Sequence, residues 1–168
     1  MPAPLPPPPP RSPIDRPFTI GGGGGWGGLQ FKDSQGNIQT TGAGSFTFRL
    51  GIGLRPGLLL MWDMEGAVAD NGTTTYRQVA NLAALQLFLT NRLFLKGGVG
   101  VAQVTQQGQG TTGNGDLGGA AMGGIGYEVF QGYHWSLDVE AAVTGARYSR
   151  VSESWTNWSL VNIAINFY

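Results

Sequence analysis

The sequence predicts an all-β fold: a closed, eight-stranded antiparallel up-and-down barrel behind a proline-rich tail. Three observations carry this. Polar and apolar residues alternate in stretch after stretch, most cleanly over residues 133–143. There Tyr133, Trp135, Leu137, Val139, Ala141 and Val143 share one face, and His134, Ser136, Asp138, Glu140 and Ala142 the other. Successive side chains of a strand point to opposite faces, so this period of two reads as strand. The connections between such stretches alternate short and long along the chain. Finally, no helical periodicity of useful length occurs, and no apolar run approaches the roughly 20 residues of a membrane helix.

Composition narrows the class. The 168 residues are one domain's worth of chain. Charged residues make up 12%, about half the usual share, while glycine reaches 29. A net charge of zero leaves no basic field for nucleic acid. The absence of cysteine removes disulfides, thiolate chemistry and cysteine-ligated metals, and no cofactor motif occurs. Residues 1–16 are dominated by proline and lack the basic start and apolar core of a secretory signal. They are expected to form a disordered or extended leader, with the barrel over 17–168.

The first strand is expected over 18–31. It contains an unbroken glycine run, Gly21 to Gly25, before Trp26. Glycine weakens a strand, so the run needs a reason: close approach of side chains from across a small barrel, or a bulge. A phosphate-cradling loop would need a following helix, and none follows. The second strand, 45–54, puts Phe46, Phe48, Leu50, Ile52 and Leu54 opposite Thr47, Arg49 and Gly51. Arg55-Pro56-Gly57 is a tight turn into the third strand, 58–68, with Leu58, Leu60, Trp62, Met64 and Val68 against Met61, Asp63 and Glu65. Pairing Leu54 with Leu58 sets Arg49 opposite Asp63, a cross-strand ion pair, and Thr47 opposite Glu65.

The fourth strand, about 75–89, has Leu85, Leu87 and Leu89 on one face and Gln78 and Gln86 on the other; Asn81 on the apolar face suggests a bulge or a rim position. Asn91 centres the next short turn. The fifth strand sets Leu93, Leu95, Val99 and Val101 against Lys96, and the sixth, 117–129, sets Ala121, Ile125, Tyr127 and Val129 against Met122 and Glu128. A short turn at Gln131, with Val129 facing Tyr133, puts Glu128 opposite His134 in the seventh strand. The last strand carries Val161, Ile163, Ile165 and Phe167 and ends on Tyr168. The four long connections, expected at 32–44, 69–74, 105–116 and 148–154, are polar.

Three features turn the apolar face outward, toward lipid. Aromatics recur near strand ends as an interfacial girdle requires: Trp26, Trp62, Tyr127, Tyr133, Trp135, Trp158 and Phe167. The polar faces hold few and potentially paired charges: Arg49, Asp63, Glu65, Lys96, Glu128, His134, Asp138 and Glu140. A solvated face would be denser in charge, yet the chain has only two lysines, Lys32 and Lys96. The last strand also runs into the terminal aromatics. An even strand count with short turns at one end and long loops at the other is the outer-membrane barrel pattern.

Over about 18–168 the chain resembles the eight-stranded outer-membrane barrel family of Gram-negative bacteria, the OmpA/OmpX-like transmembrane domains, in this pattern and in the closing Ala164-Ile165-Asn166-Phe167-Tyr168. The resemblance implies integral outer-membrane localisation with both termini periplasmic. It also implies recognition by the barrel assembly machinery through Ile163, Ile165, Phe167 and Tyr168, with Tyr168 out of phase with the lipid face. Gly126-Tyr127-Glu128-Val129-Phe130 before a short turn also looks like barrels of this group that follow a proline-rich leader.

The interior charges have two readings, a lumen plugged by paired side chains or a narrow ion path or gate. Eight strands leave an interior that side chains fill, which favours the plug, so the expected role is structural or surface interaction with at most a minor pore. Five acids against two bases implies that some carboxylates share protons or meet water. Members of the barrel group that modify lipids use His with Ser and an acid. Here His134, Ser136 and Asp138 lie on one strand, about 7 Å apart at each step of two, beyond the reach of nucleophile and base. No catalytic residue is therefore assigned. Gly24-Gly25-Trp26 resembles the Gly-x-Trp of lipocalins, soluble ligand-binding barrels, and Met61, Met122 and Leu160 would suit a small ligand; Asp63, Glu65 and Glu140 on that face argue against it. Arg77, Arg147 and Arg150 near the long-loop rim suit lipopolysaccharide phosphates or simple solvation. Outer-membrane lipid is the expected partner, and surface recognition would reside in the long loops.

Overall fold

The computed structural model describes residues 16–32, 38–70, 72, 74–108, 111–112, 116–148 and 154–168. Eight antiparallel strands form a ring: β1 (Phe18–Lys32), β2 (Ile38–Arg55), β3 (Leu58–Asp70), β4 (Thr74–Phe88), β5 (Leu93–Gly108), β6 (Asp116–Gln131), β7 (Trp135–Tyr148) and β8 (Ser154–Phe167). Each pairs with its neighbour in sequence, and β8 pairs back onto β1, so no edge is left open. A two-residue bridge, Thr111–Thr112, pairs with the end of β5.

The short turns lie at one end. Gly57 has φ 79°, the left-handed conformation that the third position of a Pro-Gly turn requires. At the second turn the Thr90 hydroxyl accepts from the amides of Arg92 and Leu93. The chain termini come to this same end, where the Tyr168 amide donates to the His134 carbonyl.

Strands run further than their apolar patterns. β2 begins at Ile38 rather than at 45, and β5 continues to Gly108. Backbone pairing needs no apolar side chain, so Thr-, Gln- and Gly-rich segments extend the ladder beyond the band. Residues 33–37, 71, 73, 109–110, 113–115 and 149–153, and with them Arg150, lie outside the described residues, as do leader residues 1–15.

The β2–β3 register sets Arg49 opposite Asp63 and Thr47 opposite Glu65, as expected. The irregularity falls at Gly53/Arg55, so Leu58 pairs with Arg55 rather than Leu54. The β6–β7 register departs from expectation. A bulge between Glu128 and Phe130 and a turn through Gly132–His134 set Glu128 opposite Asp138, not His134. Asn81 faces outward in mid-strand between Met64 and Val101, with no register shift on either side, so neither bulge nor rim explains it.

The glycine run has a local cause. An added Cβ at Gly23 would stand 2.3 Å from the Ile163 carbonyl oxygen and 2.8 Å from the Ala164 Cβ; at Gly25 it would stand 1.8 Å from the Val161 carbonyl oxygen. The alternate position Gly24 meets nothing nearer than 3.4 Å. The crowding comes from the adjacent β8, where β1 closes the ring, rather than from across the barrel. A register irregularity follows at Trp26/Gly27.

Candidate functional site

Alternation decides what reaches the lumen. Leu60, Trp62, Leu85, Leu87, Val99, Val101, Ile125, Val139, Ile163 and Ile165 are exposed on the outer wall, while Thr47, Arg49, Asp63, Glu65, Lys96, Glu128, Asp138 and Glu140 are buried inside. Toward the long-connection end the interior is mainly apolar, with Leu29, Ala67, Ala80, Ala102 and Tyr148, and Gln78 is buried among them. The charges sit toward the short-turn half, and a mainly apolar core closes above them.

All of these charges but Glu128 form one connected network across the lumen. Arg49 on β2 donates through Nη2 to Glu140 Oε2 on β7 at 2.8 Å, and its Nη1 lies 3.8 Å from Asp138 Oδ2. Lys96 Nζ on β5 reaches Asp63 at 2.7 Å, Glu65 at 3.3 Å and Glu140 at 2.5 Å. Glu140 thus links the two cations. Hydroxyls and an amide add to the ion pairs: Thr47 donates to Asp63 at 3.2 Å, Thr144 to Glu65, Ser136 to Asp138 at 3.0 Å and Asn166 to Asp138 at 2.5 Å, while the Arg49 Nε is buried with no hydrogen bond. A charge withdrawn from water costs several kcal/mol unless paired and hydrogen-bonded, and each buried charge here has a partner.

Two expected pairings are corrected. Although Arg49 is opposite Asp63 in the ladder, its ion partners are Glu140 and Asp138, and Asp63 instead takes Lys96. In a narrow closed barrel a long guanidinium spans the lumen more readily than it folds onto its own wall. Glu128 does not meet His134: it is salt-bridged to Arg16 and accepts from Gln131 Nε2 at 2.6 Å. His134 is exposed in the turn, with its ring edge-on to Tyr133 at 4.4 Å, outside the lumen. It is therefore separated from the enclosed Ser136 and Asp138.

Arg16 is the residue that sequence reasoning missed. Assigned to the leader, it is buried at the short-turn mouth and brings a third cation to the five interior carboxylates. Asn166 and Thr144 were also missed as partners; their inward phase was legible, but which carboxylate they meet depends on closure.

Of the aromatics, Tyr127, Tyr133, Trp135 and Phe167 are exposed on the outside near the short-turn end, and Trp135 stacks on Phe130 at 4.8 Å. Trp26, eight positions into β1 from Phe18, faces outward toward the other end. Trp62 faces outward four positions above Leu58, edge-on to Phe48 at 5.9 Å, between the two rims. Trp158 pairs through its backbone with Gly28 and Val143; its side chain lies outside the described residues, as does that of Leu160. Ile163, Ile165 and Phe167 face outward, whereas Tyr168 turns to the mouth, its ring 4.1 Å from the Arg16 guanidinium. Arg77 and Arg147 are exposed near the long-connection rim.

No family model and no curated protein matches this sequence. Solved structures do match the fold. Ail, the attachment invasion locus protein of Yersinia pestis, superposes with a TM-score of 0.63 at 9% identity, over 90% of this chain and 99% of that one. Neisserial surface protein A gives 0.59 at 11% identity, over 89% and 96%. The N-terminal β-barrel domain of Pseudomonas aeruginosa OprF gives 0.50 at 11% identity, over 90% and 97%. With the ring of eight strands, the outward apolar band and the charged lumen, these likenesses show that the chain has the fold of the eight-stranded outer-membrane β-barrels of Gram-negative bacteria.

Proposed function

We propose that the protein is a small integral outer-membrane protein with a structural and surface-interaction role, and that its lumen is a side-chain-filled plug rather than an open channel. The observation that carries this reading is the Lys96–Glu140–Arg49 bridge, which ties β5, β7 and β2 across the interior at 2.5 and 2.8 Å. A soluble barrel of the lipocalin kind keeps apolar residues inside and shows charge to water; here the order is reversed.

In this reading both termini are periplasmic, and the long connections face outward, where surface partners would dock. Outer-membrane lipid covers the apolar band, with Tyr127, Tyr133, Trp135 and Phe167 at one interface. Arg77 and Arg147 meet lipopolysaccharide phosphates at the other. The outward Ile163, Ile165 and Phe167 and the terminal Tyr168 serve the barrel assembly machinery. The name of Ail, an attachment invasion locus protein, favours a surface role over a transport one. No catalytic step is assigned, because His134 stands apart from Ser136 and Asp138.

Liposome swelling tests the plug. Vesicles carrying the folded protein should not swell in uncharged sugars above the protein-free rate. Sugar entry at porin-like rates would refute a filled lumen.

A further inference from the structure

Arg16 stands where the leader meets the barrel, and its placement is built by both sides. Its guanidinium engages both carboxylate oxygens of Glu128, with Nη2 donating to Oε2 at 2.6 Å. That pairing is the bidentate geometry in which arginine binds carboxylate most strongly. The same guanidinium lies 4.7 Å from the Phe88 ring centroid and 4.1 Å from that of Tyr168, so it is also held by two aromatic rings. Glu128 accepts from Gln131, whose amide also donates to the Asn91 carbonyl at 2.5 Å, tying two short turns to this point.

The wall is shaped for this segment. The Gly53 amide donates to the Pro17 carbonyl at 3.1 Å, and an added Cβ at Gly53 would stand only 2.2 Å from the Arg16 carbonyl oxygen. A glycine in a strand end is explained here by close approach of another backbone. Both Arg16 and Glu128 are almost wholly enclosed, at 3% and 0% exposure.

We propose that Arg16 is a built-in stopper: clamped by Glu128, Phe88 and Tyr168, it closes the short-turn mouth of the lumen, independently of the Arg49–Lys96 network deeper in. The proposal rests on the reading of a membrane barrel with a filled lumen. The heat-modifiable gel mobility of each variant tests that reading separately.

The sequence contains no cysteine, so one can be introduced as a reporter. Ser136 is fully enclosed, on the inward face opposite Gln131 and one inward position nearer the turns than Asp138. In the full chain folded in detergent, Ser136→Cys should react slowly with a charged, water-soluble thiosulfonate. Adding Arg16→Ala should accelerate labelling about tenfold or more, because access then no longer waits on local opening. Adding Glu128→Gln should accelerate it by a smaller factor, since the amide keeps a hydrogen bond but loses the charge. Variants that keep the heat-modifiable shift yet label within about twofold of the Ser136→Cys parent would overturn the stopper. Variants that lose the shift are replaced by deletion of residues 1–16, for which the same two outcomes apply.

Discussion

Arg49 and Glu140, 91 residues apart in the chain, meet at 2.8 Å across the lumen. Glu140 is shared with Lys96, so one carboxylate bridges two buried cations. Removing that carboxylate takes from Arg49 its hydrogen-bonded ion partner, leaving only Asp138 at 3.8 Å, and breaks the link to Lys96, which keeps Asp63 and Glu65. Glu140→Gln is expected to destabilise the folded barrel by about 3 kcal/mol, as breaking a buried pair does. Arg49→Met should cost a comparable amount, and the double variant less than the sum of the two. Urea titration of the protein in lipid vesicles measures all three. Full additivity would mean that the two groups do not interact.

The outer wall provides an independent expectation. Val99, in mid-β5 between Ala83 and Ala121, is 66% exposed. Val99→Arg should destabilise the membrane-inserted barrel by about 2–4 kcal/mol, the cost of arginine near the midplane. A change within about 0.5 kcal/mol, usual for exposed positions in soluble proteins, would place this face in water.

Asn81 interrupts that wall with an outward amide. Asn81→Leu is expected to stabilise the inserted barrel by about 1 kcal/mol, since an amide facing hydrocarbon is costly. Destabilisation on the same titration would show that the amide has a partner in the membrane.

The glycines of β1 separate by phase. Gly23→Ala forces a methyl into the Ile163 carbonyl and Ala164, 2.3 and 2.8 Å away, and should cost about 1–3 kcal/mol. Gly24→Ala meets only ordinary contact at 3.4 Å and should be neutral or slightly stabilising, by about 0.5 kcal/mol. Equal effects at the two positions would mean that β1 is not packed against β8 as described.

Local features were legible in the sequence. Period-two alternation sorted inside from outside, and Pro56-Gly57 anchored the β2–β3 register so that Arg49 fell opposite Asp63. The Arg49–Glu140 pair was not legible, because it forms only once the ring closes and a side chain can cross it. The Glu128 register depended on a bulge and on the turn through Gly132–His134, whose side chains continue the alternating pattern without announcing where pairing ends. Arg16 was hidden by the proline-rich composition around it. Gly53, which the Arg16 and Pro17 backbones approach closely, lies two residues before the Arg55-Pro56-Gly57 turn and so did not single it out.

The most direct test of a closed membrane barrel with a charged lumen is gel mobility of the detergent-folded protein, with and without boiling. A faster-migrating form that disappears on boiling is the expected result, because the closed ring resists the detergent until it is heated. A protein soluble without detergent whose mobility does not change on boiling would contradict the account and mean that the apolar face is the interior.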